Sequence, residues 1–156
     1  MSDAPTTTTS GQGGTPLPKL RIEQVEKSFG DHRVLDDIDL AVAPSEVICL
    51  IGASGSGKST LLRCINLLEP IDDGMIWLDD IDISEPGLDP DPVRRRIGMV
   101  FQSFNLFRHM TLLDNVAIGP RKVLGLGRSE SRRVAGDLLD RLGLTDRARA
   151  YPDQLS

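Results

Sequence analysis

Residues 51–60 read IGASGSGKST, and this stretch decides the fold class. Three glycines, three serines, a lysine and a threonine follow directly behind an apolar run at positions 47–51. Gly52 to Ser59 fit the pattern G-x-x-x-x-G-K-[ST], in which glycines let the backbone curl with its N–H groups turned toward phosphate oxygens. The pattern predicts a phosphate-binding loop, or P-loop, between a buried strand and a helix.

The residue types in this loop match the chemistry of a nucleoside triphosphate. A helix that begins here offers unpaired N-terminal amides and its positive dipole end to the anion. Lys58 adds a positive charge for the β- and γ-phosphates, Ser59 offers a hydroxyl to Mg²⁺, and Thr60 offers one to the nearer phosphates. The alternative is a flexible Gly/Ser turn that joins strand to helix. The predicted ATP-binding residues of the loop are Gly52, Ala53, Ser54, Gly55, Ser56, Gly57, Lys58, Ser59 and Thr60.

The segments around the loop carry the periodicity of an α/β fold. Residues 47–51 and 97–101 are short and continuously apolar, which is typical of strands buried on both faces. Leucine and isoleucine recur at helical spacing between Leu61 and Leu68, which predicts an amphipathic helix behind the loop. Residues 75–78 predict a further strand.

Two other regions predict an antiparallel edge and a helical arm. Residues 20–25 and the alternating segment 34–42 indicate an antiparallel strand pair with one face in water. Three prolines and a glycine indicate a loop at 84–92. From about residue 129 apolar residues line a helical stripe, and Gly143 is a natural helix stop.

Composition limits the classes of function. The 156 residues carry a net charge of −5, which argues against general nucleic-acid or anionic-membrane binding. Residues 1–18 are rich in threonine, glycine and proline and predict a disordered tail. Cys49 and Cys64 lie in apolar periodic segments, which favours reduced core thiols over a disulfide or a metal site. No apolar run is long enough for a membrane span, so a membrane role requires a partner.

Three stretches resemble ATP-binding subunits of ABC transporters and, within that family, the polar-amino-acid importers. They are VEKSFGDHRVLDDIDLAVAPSEVICLIGASGSGKSTLLRCINLLEPIDDGMIWLDD from Val25, RRRIGMVFQSFNLFRHMTLLDNVAIGP from Arg94, and YPDQLS from Tyr151. The resemblance implies an α/β P-loop NTPase core with an antiparallel β subdomain and the start of a helical subdomain, incomplete. It places the amino-terminal part of the ABC ATPase domain at residues 19–156, with the helical arm at about 103–156.

The resemblance also assigns roles outside the loop. Phe29 matches the aromatic residue that stacks on adenine, although from the residues alone a core phenylalanine at a strand end fits as well. Gln102 matches the catalytic glutamine that reaches Mg²⁺ and the attacking water, so Ser59 and Gln102 form the implied metal set. The apolar patch beside it comprises Phe104, Leu106 and Phe107. From the residues alone this patch fits plain core, and the resemblance implies a mixed role in which it also receives a coupling helix from the membrane subunit.

Four positions depart from the family pattern. Ala53 and Arg108 stand where proline is usual, and Asp80 stands where glycine is usual. None of these changes removes a phosphate ligand. Ser45 also stands where glycine is usual, and it strains the turn if that turn needs a positive φ.

The chain contains only Leu155 and Ser156 of the family's signature motif. In the family, the Mg²⁺-holding aspartate, the catalytic glutamate and the switch histidine follow that motif, and nothing here replaces them by spacing. The resemblance therefore implies an amino-terminal fragment that has a nucleotide cradle and no general base, so the chain alone is expected to be inactive. A truncated nucleotide-binding module without turnover is the alternative interpretation.

As a family member, the protein is expected to bind ATP and Mg²⁺ and to couple ATP hydrolysis to the import of a polar amino acid. The expected partners are a second ATPase subunit in a homodimer, transmembrane permease subunits and, indirectly, an external solute-binding protein. The expected location is the cytoplasmic face of the cell membrane, as a peripheral subunit, with no nucleic-acid partner. A small-molecule kinase fits less well, because Phe29, the two strands before the P-loop and the VFQ segment match the ABC pattern.

Overall fold

The computed structural model describes residues 18–103 and 105–155, which fall into two compact units. The first unit ends at Ile97 and contains the P-loop, and the second begins at Gly98 and contains Gln102. Residues 1–17 of the predicted tail, together with Phe104 and Ser156, lie outside the described residues. Among the described helices, none combines the length and the apolar character that crossing a membrane requires.

The first unit is built on a four-stranded antiparallel sheet. Alternation along its second strand leaves Ile38 and Leu40 half-buried and Asp37 and Asp39 exposed. The predicted antiparallel pair with one face in water is therefore confirmed, as is the strand at 75–78. In the sheet order β2-β1-β3-β4, the strands are β1 (Leu20–Phe29), β2 (His32–Val42), β3 (Asp73–Leu78) and β4 (Ile81–Asp82).

Helix α1 (Lys58–Ile65) follows the P-loop and packs against one face of this sheet. Its buried side chains are Leu61 and Cys64, whereas Leu62 is exposed, so the helix is amphipathic as the spacing predicts. Sheet and helix close one apolar core, which consists of Ile22, Val25, Leu35, Leu61, Cys64, Ile76, Leu78, Ile83 and Val93.

A second helix, α2 (Pro90–Arg94), begins inside the segment predicted to be a loop, so that prediction is wrong at its end. The carboxylate of Asp89 accepts a hydrogen bond from the backbone N–H of Asp91 and caps the helix. Pro90 stands at the first helical position, where a proline needs no hydrogen-bond partner. The prolines in this segment therefore start a helix as well as interrupting the chain.

The strands predicted at 47–51 and 97–101 are wrong for this structure, because neither segment is paired with any described strand. Val47 and Ile51 are 92% and 91% exposed, and Val100 is 98% exposed. Cys49 is exposed as well, contrary to its prediction as a core thiol, whereas Cys64 is buried as predicted. A strand exists only where a neighbouring strand accepts and donates its backbone hydrogen bonds, and no described strand lies beside either segment in that way.

The described part of the second unit contains two α-helices that pack on each other, α3 (Leu112–Val123) and α4 (Arg128–Arg141), and two 3-10 helices, Thr145–Arg147 and Pro152–Gln154. Ala135 and Leu139 of α4 are buried, which confirms the predicted helix from about residue 129. Leu142 is 71% exposed, so the buried stripe is shorter than predicted. The helix ends beside Gly143, whose φ of +68° is the left-handed conformation expected of a helix stop.

Asn115 fixes the loop in front of α3 to that helix. Its Nδ2 donates to the backbone carbonyls of Phe107 at 3.2 Å, Met110 at 3.1 Å and Thr111 at 3.0 Å. Its Oδ1 accepts from the backbone N–H of Phe107 at 2.8 Å. One amide side chain therefore satisfies four hydrogen bonds and sets the shape of residues 107–111.

Candidate functional site

The P-loop reaches helix α1 through two glycines with left-handed backbones. Gly55 has a φ of +81°, and Gly57, the N-cap of α1, has a φ of +86°. Among the described residues no side chain caps this helix, and its first turn holds no acidic residue. The positive end of the helix therefore faces the loop without a carboxylate to neutralise it, which favours an anionic ligand.

Gly57 also sets how closely the loop approaches the sheet. A Cβ on Gly57 would lie 2.8 Å from the backbone oxygen of Val34 and 3.0 Å from Cδ2 of Leu35, both on β2. Because real Cβ atoms do not approach that closely, a larger residue would push the start of α1 away from the sheet. The second glycine of the motif is therefore required both for close packing on β2 and for its left-handed backbone conformation.

Lys58 folds back over the loop. Its Nζ donates to the carbonyl oxygens of Gly52 at 2.8 Å and Ala53 at 2.6 Å, and to Oγ of Ser56 at 3.1 Å. The ammonium group is thus held inside the curve of residues 52–57 by neutral oxygen atoms. A phosphate oxygen is a stronger partner for an ammonium than a carbonyl is, so these contacts are suited to exchange for an anion.

The hydroxyl residues that follow are accessible. Ser59 is exposed and Thr60 is half-buried in the first turn of α1. Within residues 18–103 and 105–155, no group of three or more His, Cys, Asp or Glu side chains could hold a metal ion. A Mg²⁺ ion that binds with a nucleotide needs few protein ligands, because phosphate and water oxygens fill most of its sites. The hydroxyl of Ser59 therefore fits a magnesium nucleotide.

Phe29 lies at the end of β1, where it pairs with His32 of β2. The side chain is 48% exposed, so Phe29 is not a core residue. Val34, which contacts the position of Gly57, stands two residues beyond His32 on the same strand. The register therefore places the aromatic ring at the end of the hairpin on which the P-loop packs.

Gln102 is exposed and lies outside any helix or strand of the second unit. Because the P-loop belongs to the first unit, the metal role of Gln102 stays a prediction. Of the apolar patch beside it, Leu106 is half-buried, Phe107 is 48% exposed and Phe104 lies outside the described residues. Leu106 and Leu112 help to line a cavity of about 620 Å³ within this unit.

Comparison with known proteins identifies this arrangement of loop, helix and sheet. A family model described as ABC transporter matches residues 35–156. The chain belongs to the ABC transporter ATP-binding family. Its membership confirms the resemblance expected from the P-loop, the VFQ segment and the YPDQLS segment.

Among relatives in the ABC family, the glutamine transport ATP-binding protein GlnQ of Geobacillus stearothermophilus is 47% identical over 137 residues. The glutamate transport ATP-binding protein GluA of Corynebacterium efficiens has the same identity over the same length. Each alignment covers 88% of this chain and 57% of the relative, so the chain spans little more than half the length of those proteins.

A solved structure confirms the ABC fold class. It is a dimeric, post-hydrolysis ATP-binding cassette bound to ADP and phosphate, with a TM-score of 0.77 and 32% sequence identity to this chain. The match covers 88% of this chain and 63% of the cassette. The α/β P-loop NTPase core with an antiparallel β subdomain is therefore confirmed for the part of the cassette that this ABC chain represents.

One departure from the ABC pattern has the consequence expected of it. Ser45 has a φ of +64°, the left-handed region in which glycine is favoured over serine. The turn is closed on both sides of Ser45, because Glu46 N–H donates to the carbonyl of Ala43 at 3.1 Å and Ala43 N–H donates to Oε2 of Glu46 at 2.7 Å. The serine is therefore held in a strained backbone conformation.

A buried lysine beside Phe29 makes ion pairs that were not predicted from the sequence. The side chain of Lys27 is 7% exposed, and its Nζ lies 3.0 Å from Oδ1 of Asp72 and 3.4 Å from Oε1 of Glu69. Burial lowers the pKa of Lys27, but the hydrogen bonds and charges of Asp72 and Glu69 raise it above its usual value. The available signal was a lysine on the inward face of β1, next to buried Val25.

Proposed function

We propose that this chain is the nucleotide-binding part of a subunit that couples ATP hydrolysis to the import of a polar amino acid through a membrane ABC transporter. The observation that carries the proposal is the P-loop, in which Lys58 rests on exchangeable oxygen partners beside an uncapped helix N-terminus. The type of solute is supported by the 47% identity to glutamine and glutamate transport proteins.

In this proposal the loop residues 52–60 bind ATP by its phosphates. Backbone N–H groups at the start of α1 meet the phosphate oxygens, and the ammonium of Lys58 exchanges its carbonyl partners for the β- and γ-phosphates. Ser59 would hold Mg²⁺, with Gln102 as the second predicted ligand, and the bound ion would neutralise phosphate charge. The exposed ring of Phe29 stacks on the adenine.

The proposed partners follow from the same relationship. A second copy of the subunit completes a homodimer, for which the dimeric cassette bound to ADP and phosphate is the support. Permease subunits in the membrane receive the closing and opening movement, and an external solute-binding protein delivers the solute. The subunit then works at the cytoplasmic face of the membrane.

A nucleotide-binding module without turnover is a second candidate. It is favoured by the exposure of Val47 and Ile51, since the backbone in front of the P-loop has no strand partner among the described residues. Catalysis of phosphoryl transfer depends on fixed positioning of charge, and an unpaired backbone positions poorly. Binding and turnover therefore need separate measurements.

Calorimetry with MgATP tests the shared part of both candidates. We expect Lys58→Ala to weaken binding at least about tenfold, because a charge-assisted contact to phosphate is lost. Lys122→Ala, at an exposed lysine of α3, serves as the control and should bind as the unchanged chain does. The proposal is contradicted if Lys58→Ala binds MgATP as tightly as the unchanged chain does. If the unchanged chain releases phosphate from MgATP and Lys58→Ala does not, the chain hydrolyses ATP as well as binding it.

A further inference from the structure

Asp72 binds the last residues of β1 at three points. Its backbone N–H donates to the carbonyl of Glu26 at 2.9 Å. Its Oδ2 accepts from the backbone N–H of Ser28 at 2.7 Å, and its Oδ1 accepts from Nζ of Lys27 at 3.0 Å. One carboxylate therefore fixes both the backbone and a neighbouring side chain directly in front of Phe29.

Lys27 carries this restraint to the aromatic ring. Its Nζ lies 5.3 Å from the centroid of the Phe29 ring, within the range of a cation–π contact. A buried ammonium is stable only when it is paired, and Glu69 and Asp72 supply the pairing. The ring is thus held by a cation while 48% of the Phe29 surface remains open to a ligand.

Glu69, one of the two residues that hold Lys27, belongs to the segment that closes helix α1. The backbone N–H groups of Leu68 and Glu69 donate to the carbonyl of Arg63 in that helix, at 2.8 Å and 3.3 Å. Arg94 of α2 adds a bond from its guanidinium to the carbonyl of Leu67 at 2.6 Å. The far end of α1 is therefore tied to the ring of Phe29, while its near end begins at the P-loop.

We infer that Lys27 and Asp72 are positioning residues that hold the ring of Phe29 ready for a nucleotide base. The inference rests on the proposed role of Phe29 in stacking on adenine. A ring held in place before binding loses less conformational freedom when a base stacks on it, so the fixed ring binds more tightly.

Two ligands separate positioning of the base from support of the whole fold. MgATP carries a base and magnesium tripolyphosphate carries none, so only MgATP uses the ring. We expect Lys27→Met and Asp72→Asn each to raise the Kd for MgATP about tenfold, because the base then stacks on a ring that is no longer held in place. The Kd for tripolyphosphate should change less than about twofold.

Asp79→Asn is the matched control, because Asp79 pairs with Lys19 at the opposite end of β1. It should leave both affinities unchanged. If the Kd values for MgATP and tripolyphosphate rise equally in the Lys27 and Asp72 variants, these residues support the fold and do not position the ring. If the Kd for MgATP is unchanged in both variants, the inference is also wrong.

If the unchanged chain binds neither ligand, the proposed function is contradicted. The inference is then tested by a measurement that needs no nucleotide. In NMR spectra the ring current of Phe29 should move the ε-methylene protons of Lys27 upfield, and Phe29→Leu should remove that shift. Asp72→Asn should reduce it, because the ammonium is then less firmly held. An unshifted Lys27 signal in the unchanged chain contradicts a held ring.

Discussion

Strand β3 and the segment 47–51 both contain a short apolar run, yet Ile76 and Leu78 of β3 are buried and every residue of 47–51 is exposed. Ile76 of β3 is fully buried, whereas Ile51 is 91% exposed. The difference is in their neighbours, since β3 pairs with β1 on one side and β4 on the other, and residues 47–51 pair with no described strand. Apolar side chains favour burial, but a segment is buried as a strand only where a neighbouring strand pairs with its backbone.

The largest expected effect comes from truncating the same residue type in the two segments. Ile76→Ala should lower the free energy of unfolding of the first unit by about 3 kcal/mol, because it leaves a cavity in the core. Ile51→Ala should change it by less than about 0.5 kcal/mol, because the side chain already contacts water. Urea unfolding followed by the fluorescence of Trp77, the single tryptophan, measures both.

The comparison breaks if the two variants are equally destabilised. That outcome would mean that residues 47–51 are buried in solution against some partner, which a second copy of the chain could supply. Repeating the unfolding at several protein concentrations identifies this case, because stability gained by association depends on concentration.

The turn at Ser45, between β2 and the segment 47–51, gives a smaller effect of opposite sign. Ser45→Gly should raise the free energy of unfolding by about 1 kcal/mol, because it removes the penalty of a left-handed backbone at serine. Ser45→Ala is the matched variant, since it removes the hydroxyl and keeps the Cβ. An equal gain in the alanine variant would show that the backbone is not the cause.

The P-loop and the hairpin of β1 and β2 could be predicted from the sequence because their determinants are local. Glycine spacing defines the loop, and alternation around Ile38 and Leu40 defines the wet and dry faces of β2. The bond between Lys27 and Asp72 joins residues 45 positions apart, so no local pattern reports it. The strand predicted at 47–51 rests on continuous apolar composition, which contains no information on whether a neighbouring strand is present.

Acid unfolding gives the smallest expected effect and tests whether the Asp72 contacts stabilise the paired region. The N–H of Ser28, and next the hydrogen bond and charge of Lys27, hold the pKa of Asp72 below its usual value of 3.8. A carboxylate with a lowered pKa stabilises the fold fully above the unfolded value, and this stabilisation is lost as the pH falls through the folded value. The free energy of unfolding should therefore fall as the pH is lowered below about 3.8, and Asp72→Asn should flatten that slope.

Asp79 provides the comparison for this titration, because its pKa is also lowered, first by Lys19 and then by Arg96. Asp79→Asn should leave the Asp72 share of the slope in place, and the double variant should be flatter than either single one. A slope that Asp72→Asn leaves unchanged would mean that the carboxylate is equally solvated in the folded and unfolded chain. Lys27 would then lack Asp72 as a fixed partner, and the ion pair that orders the end of β1 would have to come from Glu69 alone.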